Sequence, residues 1–377
     1  MNMKKVNSSK LVQFVDFSIK NEFIMSVYVI LLGFFLSTVL LYLVGLKPSV
    51  MYNTIIQTIT GYDFSKYRFN ARYIGTWITN SMPLILTGLS FNIALRSGFF
   101  NIGAEGQFII GLTFAQYFAF LLPPVMGVTG IVAVVIGALF AAGWGAIVGW
   151  LRGRYQTSEV VLTIMFNYIA FYFSRWFSQK YLPGANSYRA DNFPQEALLA
   201  NSWFQSITNG SLLNNGLFLV IVSLIVYHII MEKTKWGFSL RASGYSPLAA
   251  KFAGIAPVRS AVVAMAGAGF FAGLAGGIVY LGSFTFANVI RAQDQYGFTG
   301  IAVGLVSGGS AIGTFLSGLF FGLLNAAAPL MQSRGIPREI ATMISAFVVI
   351  FIALSTGIKL RLGQWVIKAK NKEKEME

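Results

Sequence analysis

Long apolar runs, separated by short polar segments, recur from residue 23 almost to the end of the chain. A helix of about 20 apolar residues spans the ~30 Å hydrocarbon core of a bilayer. Inside hydrocarbon every backbone N–H and C=O must find a partner within the protein, which leaves helices or a closed barrel. The runs here are continuous rather than alternating, and that selects helices. The composition agrees: 55% of the residues are hydrophobic and 11% charged. The chain therefore reads as an all-α, polytopic membrane protein with about ten transmembrane helices, some broken or re-entrant. The spans fall near 23–45, 75–95, 108–122, 125–151, 159–177, 217–231, 260–282, 296–307, 311–331 and 339–356. Pro83 and Gly88 are expected to break the second. The eighth, GFTGIAVGLVSGG, is short and glycine-rich, as a broken or re-entrant helix would be. Residues 1–22 form a cytoplasmic N-terminal segment, 23–357 the transmembrane domain and 358–377 a basic cytoplasmic tail.

Several classes of function are excluded at once. There is no cysteine and a single histidine, His228. Thiolate chemistry, Ser-His triads and Cys/His metal sites therefore lack their parts, and no catalytic residue, metal or cofactor is assigned. No G-x-x-x-x-G-K-[ST] loop is present, so the chain is expected not to hydrolyse nucleotide itself. No cleavable signal peptide is read. The net charge of +15 is not taken as a nucleic-acid signal, because the basic residues cluster between apolar spans. Orientation and anionic lipid headgroups explain them better. Most lie in 1–22, 96–102, 152–157, 233–259 and 358–377, which places those segments, and both termini, in the cytoplasm of a cell-membrane protein. The loop 46–75, with four basic residues, is an exception.

One segment interrupts the membrane pattern most sharply: KTKWGFSLRASGYSPLAAKFAGIAPVR, residues 233–259. Ser246-Pro247 is a helix start, the serine as N-cap and the proline in the first turn. Gly254 offers a left-handed exit, and Pro257 forbids continuation. The helix between, about 247–253, is too short to cross a bilayer. Leu248, Phe252 and Ile255 follow i, i+4, i+7 spacing and share one apolar side. Lys233, Lys235, Arg241, Lys251 and Arg259 flank it. From the residues alone two readings stay open: a docking peg for a groove on another protein, or a connector lying on the lipid.

Polar groups inside spans are costly and mark functional positions. The densest set, with Arg96 among them, is Asn92, Asn101, Glu105 and Gln107 in NIALRSGFFNIGAEGQF, where Gly98, Gly103 and Gly106 interrupt the helix. Unwound backbone at that depth is tolerated only where protein buries it or a water-filled cavity faces it. The segment is either a broken helix beside a solute pathway or a tight turn in which Glu105 pairs with Arg96. Asn167, eight residues after Glu159, is a fifth candidate, for the pathway or for an interhelical hydrogen bond. Glu159 itself suits the start of a helix. The aromatic residues Phe166, Tyr168, Phe171 and Tyr172 read as packing or lipid-facing groups.

GFSLRASGYSPLAAKFAGI resembles the cytoplasmic coupling loop of ABC-importer permeases of the ribose and branched-chain amino-acid type. The matching positions are Gly237, Arg241, Ala242, Gly244, Ser246, Pro247, Ala249, Ala250, Ala253, Gly254 and Ile255; Tyr245 stands where an acidic or amide residue is more usual. FNIGAEGQF and EVVLTIMFNYIA resemble the larger permease subunit of the nucleoside-importer branch. IAVGLVSGG resembles that family's IAVALLG segment, with Gly304 and Ser307 as departures. The likeness covers about residues 75–357 in order. It implies one half of the solute pathway of an ATP-driven nucleoside importer, with helix 247–253, Phe252 included, lodged in a groove of a cytoplasmic ABC ATPase. It also implies a second permease subunit as heterodimer partner and an extracellular solute-binding lipoprotein. A permease for a simple sugar such as ribose, or a stand-alone secondary transporter, is the alternative.

Overall fold

In the computed structural model, residues 22–63 and 67–374 are described, so most of the N-terminal segment 1–22 lies outside them. The described chain is mostly helical, with little sheet. It divides into two compact units, 53–327 and a smaller one made from the two ends, 1–52 with 328–377.

The larger unit carries the bundle. In chain order its helices are α3 (Arg72–Arg96), α4 (Ala104–Leu121), α5 (Thr129–Tyr155), α6 (Glu159–Tyr181), the short α7 (Ser202–Ile207), α8 (Gly216–His228), α9 (Lys235–Tyr245), α10 (Pro247–Phe252), α11 (Pro257–Ser283) and α12 (Tyr296–Val306). α13 (Ala311–Ser333) follows and continues past the unit boundary. A π-helical turn, Ile229–Lys233, extends α8. In the smaller unit, α1 (Glu22–Leu43) packs on α14 (Arg338–Lys374). α2 (Pro48–Thr60) joins the two units in sequence.

Each expected span coincides with a helix. Among the described residues, six helices are long and apolar enough to cross a membrane: α3, α5, α6, α8 with its π turn, α11 and α13. α3 corrects one expectation, because it runs unbroken through Pro83 and Gly88. Proline removes one N–H from the ladder, and the loss is local. Gly88 marks a close approach rather than a break, since a Cβ there would lie 2.6 Å from Val303 Cγ1 on α12. The 46–75 loop holds a helix of 13 residues, α2. α14 is one helix of 37 residues, so its basic end continues the span without a break. At 1.5 Å per residue it measures about 55 Å, beyond the ~30 Å of a hydrocarbon core.

The centre of the bundle is built from small residues. α5 runs antiparallel to α11, and glycines set the spacing. A Cβ on Gly149 would sit 2.5 Å from the Ala261 carbonyl oxygen, and one on Gly145 would strike that of Met265. In hydrocarbon, helices associate through close packing rather than hydrophobic expulsion, so backbone contact of this kind supplies the attraction. α4 packs against both, with Gly111 against Gly273 of α11 and Gly137 of α5. It is buried along almost its whole length, which is why it tolerates Glu105, Gln107 and Gln116.

At the end of the bundle away from α10, residues 178–215, a polar segment between two spans, fold into a cap. Strand β1 (Arg189–Asn192) pairs antiparallel with β2 (Phe286–Asn288). The Leu199 N–H reaches back to the Leu281 carbonyl, and Asn201 caps α7 by accepting from Trp203 and Phe204 N–H. Gln116 on α4 accepts from the Asn288 N–H at 2.7 Å.

Candidate functional site: an exposed elbow and a half-helix

The elbow begins at Thr234, whose hydroxyl caps α9 by accepting from the Gly237 N–H at 3.1 Å. Arg241, two turns on, donates back to the Met231 carbonyl and to Glu232. Gly244 lies directly on the chain leaving α3: a Cβ there would collide with the Arg96 carbonyl and come within 2.9 Å of Gly98 N. The elbow and the end of α3 thus touch backbone to backbone, with no side chain to absorb relative movement.

α10 follows after one extended residue. Ser246 accepts from the Ala249 N–H at 3.3 Å, and Pro247 occupies the first turn. At the other end the Ile255 N–H bonds to the Ala250 carbonyl and the Gly254 N–H to that of Lys251, with Gly254 at φ +83°. That is a Schellman stop, the left-handed exit expected of this glycine. Both ends of a six-residue helix are therefore fixed by their own sequence. Ala250 faces inward, 4% exposed, while Leu248 is 72% and Phe252 93% exposed. A large apolar ridge stands clear of the chain that carries it. Two grooves flank the elbow. One, of about 410 Å³, runs beside Leu248 and Lys251 to Phe99 and Gln156. The other, of about 290 Å³, is lined by Lys235, Trp236, Ile255 and Arg259.

The second feature is α12. Gly300 opposes Thr87 and Gly304 opposes Phe91, so α12 runs parallel to α3 and starts level with its middle. Eleven residues cover only about 16 Å, half a bilayer core. Residues 289–295, which lead into it, are non-helical, as in a broken or re-entrant helix. Gln295, before the first turn, sits at φ +69° and supplies no side-chain cap. The cap comes from α4: the Glu105 carboxylate, fully buried, accepts from the Gln295 N–H at 2.8 Å and the Gly297 N–H at 2.7 Å. A carboxylate at the positive end of a helix dipole is favoured there.

The other four polar candidates are also buried, and two of them, Asn167 and Asn101, bond backbone groups where α4 begins. Asn167 accepts from the Gly106 N–H and donates to the Ile102 carbonyl, holding the chain where α4 begins. Asn101 accepts from the Gly103 N–H and donates to Gln107. Asn92 donates to the hydroxyls of Ser307 and Thr314, at 2.7 and 2.8 Å. Asn92 Oδ1 and Gln107 Nε2 keep no partner among the described residues. The alternative of a turn closed by an Arg96–Glu105 pair is not what forms: Arg96 pairs with Glu232 instead. Glu159 starts α6, accepts from the Phe100 N–H and pairs with Arg152. The family departures have local reasons. Gly304 leaves room for the Phe91 ring, and the Ser307 hydroxyl accepts from both Asn92 and the Gly309 N–H. Glu232 was not among the sequence candidates. It sits at the polar end of a span, where nothing in the local pattern distinguishes it.

A bundle of membrane-length helices, with a short helix that starts level with the middle of α3, fits a membrane transport subunit. The chain belongs to the family described as branched-chain amino acid transport system / permease component, whose profile matches residues 73–353. It is 35% identical over 342 residues to the nucleoside ABC transporter permease protein NupB of Lactococcus lactis subsp. cremoris, covering 88% of this chain and 91% of that one. It is 32% identical over 300 residues to the guanosine ABC transporter permease protein NupP of Bacillus subtilis, covering 79% and 86%. The glucose ABC transporter permease protein TsgB13 of Haloferax volcanii is 27% identical over 298 residues, covering 75% and 76%. No solved structure matches.

Proposed function

We propose that this chain is a permease subunit of an ATP-driven ABC importer for nucleosides, driven at α10 by a cytoplasmic ATPase. The observation that carries the reading is the exposed ridge of Leu248 and Phe252 on a helix capped at both ends. An apolar knob of this size, flanked by basic residues, suits a groove on a soluble partner. Gly237, Arg241, Gly244, Ser246, Pro247, Ala249, Ala250, Gly254 and Ile255 then shape and hold the knob. The lysine and arginine bias supports a cytoplasmic elbow and cytoplasmic termini. A second permease completes the pathway. Support comes from the nucleoside permease NupC of the same Lactococcus, 25% identical to this chain over 301 residues, beside the closer NupB. An extracellular solute-binding lipoprotein delivers the solute.

Asn92, Asn101, Glu105, Gln107 and Asn167 form the gate region. They hold α12 and the start of α4 at mid-membrane, and two of them keep hydrogen-bonding capacity in hand. The solute assignment rests on the two relatives named for nucleosides and guanosine; the relative named for glucose favours a sugar as the second reading. In proteoliposomes holding the full importer, purine and pyrimidine nucleosides are expected to stimulate ATP hydrolysis. Stimulation by ribose, with inosine and cytidine inert, would reverse the assignment.

A further inference from the structure

One carboxylate joins three parts of the bundle. Glu232 lies in the π-helical turn that ends α8. Its two oxygens are taken by different arginines: Oε1 by Arg96, the last residue of α3, and Oε2 by Arg241 of α9. Arg96 also donates to the Gly309 carbonyl at 3.2 Å. The buried Tyr227 hydroxyl donates to that same oxygen at 2.7 Å. Gly308 and Gly309, both left-handed at φ +60° and +76°, form the turn between α12 and α13. Movement of the elbow at Arg241 therefore has a bonded route through Glu232 and Arg96 to the turn on which the half-helix α12 hangs.

The cluster is not placed to hold the fold together. Its three side chains are between 24% and 34% exposed, where ion pairs contribute little to stability. Without Glu232 two guanidinium groups would face each other unneutralised. Single-turn π bulges recur at functional positions in helices, and here the extra residue per turn coincides with the charge.

We propose that Glu232 is the positioning residue that transmits movement of the α9–α10 elbow to the α12–α13 turn, and so to the gate. The proposal rests on the reading of this chain as a permease driven at α10. The test uses the whole importer in proteoliposomes, with nucleoside uptake, ATP turnover and ATPase co-purification measured together. Glu232→Gln is expected to keep co-purification and basal ATP turnover, and to lower uptake per ATP by about tenfold. Glu232→Asp, which keeps the charge, is expected to restore part of that ratio. Unchanged uptake per ATP in both Glu232→Gln and Glu232→Ala would overturn the proposal. So would a parallel fall in assembled complex and uptake with the ratio intact, the mark of a merely structural role. Phe252→Asp, run alongside, separates the two claims. If it leaves the ATPase bound, the driven-permease reading fails whatever Glu232 does.

Discussion

Phe252→Asp is expected to abolish uptake while leaving the chain inserted and folded. Phe252 is 93% exposed, so an aspartate there buries no charge within this chain. A surface change of this kind alters stability by about 0.5 kcal/mol or less. Against an ATPase groove the same change removes an aromatic anchor and forces a carboxylate out of water. Anchors of that kind are worth about 2–4 kcal/mol, or roughly 30- to 1,000-fold in affinity. Co-purification of the ATPase and radiolabelled uptake read the effect, with thermal unfolding in detergent as the control. Wild-type uptake in a normally inserted Phe252→Asp protein would remove α10 from the mechanism. Gly244→Asp is a poorer probe, because its side chain would collide with the Arg96 carbonyl and disturb the fold itself.

The largest effect on stability is expected at Glu105. The carboxylate is fully buried and accepts the N–H groups of Gln295 and Gly297. Glu105→Ala leaves both donors without partners, at about 1–3 kcal/mol each. α12 has no cap of its own to replace it. The unfolding temperature in detergent should fall by several degrees at least. Glu105→Gln keeps one carbonyl acceptor and should fall between the two. A Glu105→Ala protein that melts with wild type would mean that α12 is held by its packing on α3 alone.

The two features were unequally legible in the sequence. α10 is a local object: Ser246, Pro247 and Gly254 specify both ends, and the structure stops the helix within a residue of the expected boundary. The spans were legible for the same reason, since hydropathy is a property of neighbours. Long-range pairing was not. Glu105 reads as a pathway group in its own segment, and its partners lie 190 and 192 residues away. The Arg96–Glu232 pair joins positions 136 apart, so a turn closed by Arg96 and Glu105 was the only pairing that local spacing could offer. Nor does local sequence show that α3 stays whole through Pro83 and Gly88, because the close contact of Gly88 with Val303 of α12 is long-range. One signal for Glu105 was present all the same: an acid within an apolar helix, opposite a half-helix lacking a capping residue.

The chain contains no cysteine, so Phe252→Cys places a single thiol on the ridge of α10. Bifunctional crosslinking in intact cells, paired with labelling by a membrane-impermeant thiol reagent, tests the account where it is most exposed. The expected result is an adduct with an ABC ATPase, stronger or weaker with nucleotide state, and no labelling from outside. Labelling from outside, or a thiol that reaches no ATPase under any nucleotide condition, would contradict it.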